Sequence, residues 1–368
     1  MGQKEIRQPA GDPWGVRRIT STAKPEPVPA TASRTVVLAL NSATRAPQFE
    51  ALAEHLPIEV RHREFSFPWE EIAARRSGRL SAGGVAPVDL QGACADVEVI
   101  FGFFLPRELT RFAPRLRWVE TPAAGSDHLR GTGVLDSGIA VTTVGSALAP
   151  MVAEHAFALL LALCRNLPDA VEAQARAEWR KGVVRELFGQ CMAIVGLGRI
   201  GLAVARAAKA FGMRVVGTRR HQGMPPEHVD RVYHHGELVP MLAEADVVVL
   251  ALPTTQETLG LIGDAELGAM KPGAYLINVA RGAVIDEAAL VRALGMGRLG
   301  GAGLDVFIEE PLPPGSPLWR LPNVLITPHS AVDTASRLDR AVAHFGENLA
   351  RYFAGEPLRD QVDWQRGY

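Results

Sequence analysis

Residues 193–201 read A-I-V-G-L-G-R-I-G, and the run L-A-V-A-R-A-A-K-A-F follows at 202–211. Apolar residues leading into three glycines and then into a helical pattern predict a strand, a tight turn and a helix. The glycines have separate physical duties in such a turn. Gly196 permits the sharp change of direction, Gly198 lets a pyrophosphate approach the backbone, and Gly201 lets the helix pack closely on the strand. The N-terminus of the helix, at Arg199 and Ile200, then faces the phosphate charge. A strand–helix turn without a ligand is the plain alternative, but three glycines at this spacing exceed what packing requires. The expectation is a dinucleotide-binding α/β unit.

Outward from this turn the chain alternates regularly. Strands are expected at Met192–Val195, Arg214–Val216, Val247–Leu250, Tyr275–Asn278, Gly303–Asp305 and Val324–Ile326, with helical patterns between most of them. That order predicts a parallel sheet with right-handed crossovers. Upstream, T-V-V-L-A-L from Thr35, Val97–Phe101 and Trp118–Thr121 read as strands of a smaller α/β domain. Between the two lies a strongly apolar helix, A-P-M-V-A-E-H-A-F-A-L-L-L at Ala149–Leu161, suited to packing between domains or subunits. Its Glu154 and His155 read as structural. A last long helix over about 333–353 is placed to return to the first domain and make it discontinuous.

Bulk properties fit this division. A chain of 368 residues is too long for one hydrophobic core. Apolar residues at 47% and charged residues at 21% suit a globular protein. A net charge of −1 without blocks of like charge points away from nucleic acid and acidic membranes. Residues 1–34 contain Pro9, Pro13, Pro25, Pro27 and Pro29 among small and polar residues, the composition of a flexible tail. Cys94, Cys164 and Cys191 lack metal-like or disulfide-like spacing, as expected of buried thiols in a reducing compartment. No metal site is expected. No run reads as long and apolar enough to span a bilayer, and the N-terminus lacks the apolar core of a secretory signal. A cytoplasmic location follows as an expectation.

The second strand of the larger sheet ends in V-V-G-T-R-R-H. An acidic residue usually stands there to hold the ribose hydroxyls of NAD. Here Arg219 stands 21 residues after Gly198, with Arg220 beside it. Guanidinium groups suit a 2′-phosphate, so NADP(H) is favoured and NAD(H) remains possible. Two solvated arginines beside an adenine pocket are the alternative.

Three ionisable residues each follow an expected strand of that sheet. Arg281 comes after Y-L-I-N-V-A, Glu310 shortly after G-L-D-V-F, and His329 after V-L-I-T-P. Strand ends of one polarity share an edge of a parallel sheet, where ligands bind. This set suits reduction of a 2-oxo acid. Hydride addition to the carbonyl carbon leaves charge on oxygen, which protonated His329 can neutralise. Glu310 beside it would stabilise the imidazolium and fix the ring, and Arg281 could clamp the substrate carboxylate and polarise the carbonyl. Singly, each residue also has an ordinary structural reading.

The chain resembles the D-isomer-specific 2-hydroxyacid dehydrogenases over nearly its whole length beyond the tail. The matching stretches are V-G-L-G-R-I-G (Val195–Gly201), D-V-V-V-L-A-L-P-T-T-Q-E-T (Asp246–Thr258), I-N-V-A-R-G-A-V-I-D (Ile277–Asp286), G-L-D-V-F-I-E-E-P-L-P (Gly303–Pro313) and T-P-H-S-A (Thr327–Ala331). The resemblance implies α/β architecture with two doubly wound parallel-sheet domains. A smaller flavodoxin-like substrate domain would cover 35–145 and be completed by 332–368; a Rossmann NAD(P)-binding domain would cover 146–331. It implies catalytic roles for Arg281, Glu310 and His329, a nicotinamide contact for Asp305 and a cofactor-side loop at Pro253. The loop A-A-G-S-D-H-L at Ala123–Leu129 is similar to the family's substrate loop. Backbone N–H groups of Ala124 and Gly125 would then hold the substrate carboxylate together with Arg281. A homodimer is implied, its face partly on the apolar helix.

Arg219 departs from the usual acidic residue, as in relatives that use NADP and reduce glyoxylate or hydroxypyruvate. The tail has no family counterpart. Formate dehydrogenases carry Gln where Glu310 stands, which argues against formate. Phosphite-oxidising relatives keep the same trio, and dinucleotide-sensing corepressors share the fold. The apolar stretch Phe101, Phe103, Phe104 and Leu105 reads either as the wall of a substrate pocket or as core.

Overall fold

The computed structural model describes residues 34–41, 45–64, 88–220 and 224–363. The expected tail over 1–34 lies outside them except for Arg34. Two parallel sheets organise the described chain. The first is five-stranded, in the order β2-β1-β3-β4-β5. Its strands are β1 Thr35–Leu40, β2 Ile58–Arg63, β3 Val99–Phe101, β4 Trp118–Thr121 and β5 Ala140–Thr143. This is the flavodoxin-like order. The second is seven-stranded, with β6 Cys191–Val195, β7 Arg214–Arg219, β8 Arg231–His234, β9 Val247–Leu250, β10 Ala274–Asn278, β11 Leu299–Leu304 and β12 Val324–Ile326. Its order is β12-β11-β10-β9-β6-β7-β8, the doubly wound Rossmann arrangement with a seventh strand added beside β11. The winding reverses between β6 and β9, and the glycine turn leaves the carboxyl end of β6 at that reversal.

The sequence explains the central strands directly. C-M-A-I-V in β6 and V-V-V-L in β9 are buried throughout, as continuous apolar runs must be when both faces of a parallel sheet are covered. Two apolar clusters flank the second sheet and two flank the first. The helix Arg337–Ala354 returns to the first sheet, where Ala341, Val342, Phe345 and Leu349 pack among Val37, Phe49, Phe101 and Trp118.

The apolar helix is longer than expected, running Gly145–Cys164 instead of Ala149–Leu161. Pro150 suggests a helix start because its fixed φ suits the first turn, yet it lies inside the helix. The expectation that no run could span a bilayer is corrected accordingly: this helix qualifies by length and composition. It is a core element, with 61% of its most apolar window buried inside the protein. Leu148 and Met151 enter the first-sheet core, whereas Val152, Ala156, Leu159 and Leu160 enter the second. The cysteines are unpaired and buried, and burial pushes their thiols up to about 11.

A buried ionic cluster pins the C-terminal segment to the first sheet. His344 Nδ1 lies 3.1 Å from Glu120 Oε1 and its Nε2 lies 3.3 Å from Asp360 Oδ2. Asn348 Nδ2 and Thr142 Oγ1 donate to the other Glu120 oxygen at 2.7 and 2.8 Å. Both ring nitrogens of His344 face carboxylates, so the ring is an imidazolium. Burial alone would lower its pKa, but the Asp360 and Glu120 carboxylates prevail and raise it to about 9. A group with a raised folded-state pKa contributes its full stability below the unfolded value of about 6.5 and loses it as pH climbs towards 9. The gap is worth on the order of 3 kcal/mol. The wild-type Tm should therefore fall relative to that of His344→Gln between pH 6.5 and 9 in a calorimetric titration. A difference in Tm that stays constant across this window would contradict the assignment.

Candidate active site

The glycine turn has the geometry that its sequence requires. Gly196 has φ +101°, and a Cβ there would stand 2.6 Å from the Ala251 carbonyl oxygen. A Cβ on Gly201 would run into the Gly196 carbonyl, whereas Gly198 faces open space. Gly196 N–H donates to Thr218 Oγ1 at 3.1 Å, tying the turn to β7. The following helix is Arg199–Ala210, so its free N–H groups begin where a pyrophosphate would lie. An open cradle at Gly198 against a helix N-terminus fits a dinucleotide.

Around the turn, the Arg199 guanidinium forms an ion pair with Asp360 of the C-terminal segment. Arg219 ends β7 and is exposed, and Arg220 pairs with Glu257. The Pro253 carbonyl accepts from Thr258 Oγ1 at 2.7 Å, bracing the loop after β9.

Arg281, Glu310 and His329 follow β10, β11 and β12, so the sheet delivers all three to one edge. Glu310 Oε2 lies 2.8 Å from His329 Nδ1, and Glu310 Oε1 accepts from the Phe307 N–H at 3.1 Å. The carboxylate is thus fixed by backbone and in turn fixes the imidazole. His329 has φ +54°. Arg281 is held from three sides: Nη2 and Nε donate to the two Asp127 oxygens at 2.8 and 3.2 Å, and Nη1 donates to the Ala280 carbonyl at 2.7 Å. Burial would lower its pKa, but Asp127 and Glu310 outweigh that and keep it cationic.

A cavity of about 660 Å³ opens between the sheets. Ala124, Gly125, Ile200, Arg281, Asp305 and His329 all line it. Glu310 stands behind His329. Gly196, Gly198, Arg199, Gly201, Arg219, Arg220 and Pro253 lie outside its lining. Of the apolar stretch, Phe103 and Phe104 form cavity wall, Phe101 reaches it from the core, and Leu105 is wholly core. Phe103 stacks on His128 with centroids 4.2 Å apart, and His128 Nε2 bonds Thr121 Oγ1 at 2.8 Å. Among the described residues, no group of three or more His, Cys, Asp or Glu could hold a metal ion.

Two residues of this site escaped the sequence reading. Asp127 lies within the quoted loop A-A-G-S-D-H-L, and the signal available was an acid two residues after Gly125. His155, which the sequence assigns a structural role in the apolar helix, has its Nε2 3.2 Å from Asp305 Oδ1. Asp305 itself accepts from Thr327 Oγ1 at 2.7 Å and from the N–H groups of Ser330 and Ala331 at 2.9 and 3.2 Å. Burial would raise its pKa; these donors prevail and hold it below the ordinary carboxylate value.

Residues 157–331 match the model of the D-isomer specific 2-hydroxyacid dehydrogenase NAD binding domain. A glyoxylate/hydroxypyruvate reductase B of Pectobacterium carotovorum is 40% identical over 267 residues, spanning 70% of this chain and 82% of its own length. This chain belongs to the D-isomer specific 2-hydroxyacid dehydrogenases. Solved structures resemble it over most of the chain. A 2-hydroxyacid dehydrogenase of Xanthobacter autotrophicus, in complex with NADPH and MES, superposes with a TM-score of 0.74 at 32% identity, over 92% of this chain and 100% of its own. An NADPH-dependent glyoxylate/hydroxypyruvate reductase of Sinorhizobium meliloti, in complex with NADP and sulfate, gives 0.71 at 26% identity, over 91% of this chain and 100% of its own. The chain is accordingly an oxidoreductase that binds a nicotinamide dinucleotide.

In this dehydrogenase Arg281 depends on Asp127 for its orientation. Asp127→Asn should raise KM for a 2-oxo acid and lower kcat/KM by about tenfold or more, the usual size for a lost charge-assisted pair. Steady-state kinetics that match the wild type would show that other contacts suffice to hold the guanidinium.

Proposed function

We propose that the protein reduces a small 2-oxo acid of the glyoxylate or hydroxypyruvate type to the D-2-hydroxy acid, reversibly, with NADPH as the preferred reductant. The observation that carries this reading is the Glu310–His329 pair at 2.8 Å, with His329 and a half-buried, cationic Arg281 lining one cavity. The similarity to the glyoxylate/hydroxypyruvate reductases above supports the substrate class. When bound, the dinucleotide supplies the hydride. The chain's own groups do the rest. The Arg281 guanidinium and the backbone N–H groups of Ala124 and Gly125 take the substrate carboxylate and orient its carbonyl. With Nδ1 donating to Glu310, the Nε2–H of His329 gives its proton to the carbonyl oxygen as charge develops there. In the reverse direction the neutral ring takes the hydroxyl proton, and Glu310 stabilises the imidazolium that forms. The first sheet with residues 332–368 would carry the substrate loop, and residues 146–331 the cofactor.

Arg219 and Arg220 support NADP(H), since Arg219 ends the strand next to the glycine turn and Arg220 follows it, where an acidic residue would repel a 2′-phosphate. A spectrophotometric panel of 2-oxo acids, with phosphite as the contrasting substrate, tests the class; turnover of phosphite alone would overturn it. His329→Ala should lower kcat at least about a hundredfold while NADPH binding persists, and undiminished turnover would remove His329 from proton transfer. In the same assay Arg219→Asp should shift preference from NADPH towards NADH. An unchanged ratio of the two kcat/KM values would show that Arg219 does not read the phosphate.

A further inference from the structure

The loop that carries His329 is held at an awkward angle, and its anchorage reaches further than the proposed catalytic residues. A non-glycine residue at φ +54° sits roughly 1–2 kcal/mol above the right-handed well. Such a residue persists only where its neighbours are over-determined. They are. Thr327, two residues before His329, donates its hydroxyl to Asp305 Oδ1, and Ser330 and Ala331, directly after it, donate their N–H groups to the same carboxylate. Asp305 is 1% exposed, so water does not compete for these bonds.

A fourth partner comes from outside the loop and outside its strand. His155 Nε2 lies 2.9 Å from Thr327 Oγ1 and 3.2 Å from Asp305 Oδ1. The Thr327 hydroxyl proton is directed to Asp305, so its oxygen is left to accept. Asp305 is ionised and accepts only. His155 therefore carries a proton on Nε2 and shares it between the two oxygens. Neither His155 nor Thr327 lines the cavity. His155 stands on the helix Gly145–Cys164, whose two ends are sunk in different cores. That helix packs against both sheets that bound the cleft.

We propose that His155 is a positioning residue: through Thr327 and Asp305 it fixes the loop carrying His329 relative to the helix that joins the two sheets. Without the Nε2–H donor, Asp305 still binds the loop to β11 and apolar packing still seats the helix on the sheet, but the polar link that fixes the Thr327 end of the loop against the helix is lost. The His329 ring then drifts from the carbonyl oxygen. Misplacement of a proton donor by about 1 Å reduces turnover by tenfold to a hundredfold, while the glycine turn and Arg281 are untouched. The inference rests on His329 acting as the proton donor.

The test is a double-mutant cycle on kcat with His155→Leu, Thr327→Val and the double variant, with NADPH affinity followed by nicotinamide fluorescence. His155→Leu should lose about tenfold or more in kcat with KM and NADPH affinity little changed. His155→Gln, whose amide can donate from nearly the same point, should recover most of that loss. The double variant should be little worse than either single one, as expected for two links of one chain. Losses that multiply independently, or His155→Gln no better than His155→Leu, would overturn the proposal. If His155→Leu does not fold, His155→Gln and Thr327→Val carry the same comparison. A fully active His329→Ala would defeat the acid/base reading itself, whereas an inactive His329→Ala beside an undiminished His155→Leu would defeat only this inference.

Discussion

The helix Gly145–Cys164 cannot leave its apolar surface in water, and no single core of this protein takes all of it. Each large side chain such as Leu148, Phe157 or Leu160 gains about 1.5–3 kcal/mol by burial. The first turns supply the core above the five-stranded sheet and the later turns that beside the seven-stranded one. Two sheets sharing one helix must stand next to each other with a cleft between their carboxyl edges. The cavity, the glycine turn and the proposed proton donor all lie along that cleft, so the geometry of the site is set by where this helix is buried.

Within the cleft, the charged groups proposed for the site are arranged in pairs. Arg281 has Asp127, His329 has Glu310, and Asp305 has the donors of the His329 loop together with His155. Such pairing makes a cation available to a substrate carboxylate without leaving a bare buried charge when the substrate is absent. It also divides labour between the sheets. Asp127 comes from the loop after β4 and Arg281 from the end of β10, so the guanidinium proposed to clamp the substrate is oriented by the opposite side of the cleft. Relative movement of the sheets would disturb it directly.

What was readable in the sequence follows from the same physics. The buried parallel strands announce themselves as apolar runs, and the residues after β10, β11 and β12 could be singled out because strand ends of one sheet share an edge. The edge strand β2 was missed because I-E-V-R-H-R alternates with charge and buries little. β8, R-V-Y-H, is short and also at an edge. β11 begins four residues before its expected start because Gly300 and Gly301 look like a turn, while in the sheet they admit the neighbouring backbone. Asp127 and His155 lay beyond reach for a different reason. Their partners are 154 and 172 residues away, and only the packed arrangement of helix, loop and sheet makes them neighbours.

On this reading the seven-stranded sheet presents Arg281, held by Asp127 from across the cleft, and His329 to the carbonyl group of a 2-oxo acid beside the nicotinamide. A crystal structure of the NADP⁺ complex with oxamate, an unreactive analogue of such an acid, measures this most directly. The oxamate carboxylate should lie on Arg281 and the N–H groups of Ala124 and Gly125, with its amide-carbonyl oxygen about 3 Å from His329 Nε2. Oxamate seated away from Arg281, or a His329 ring turned from that oxygen with Nε2 out of hydrogen-bond reach, would contradict it.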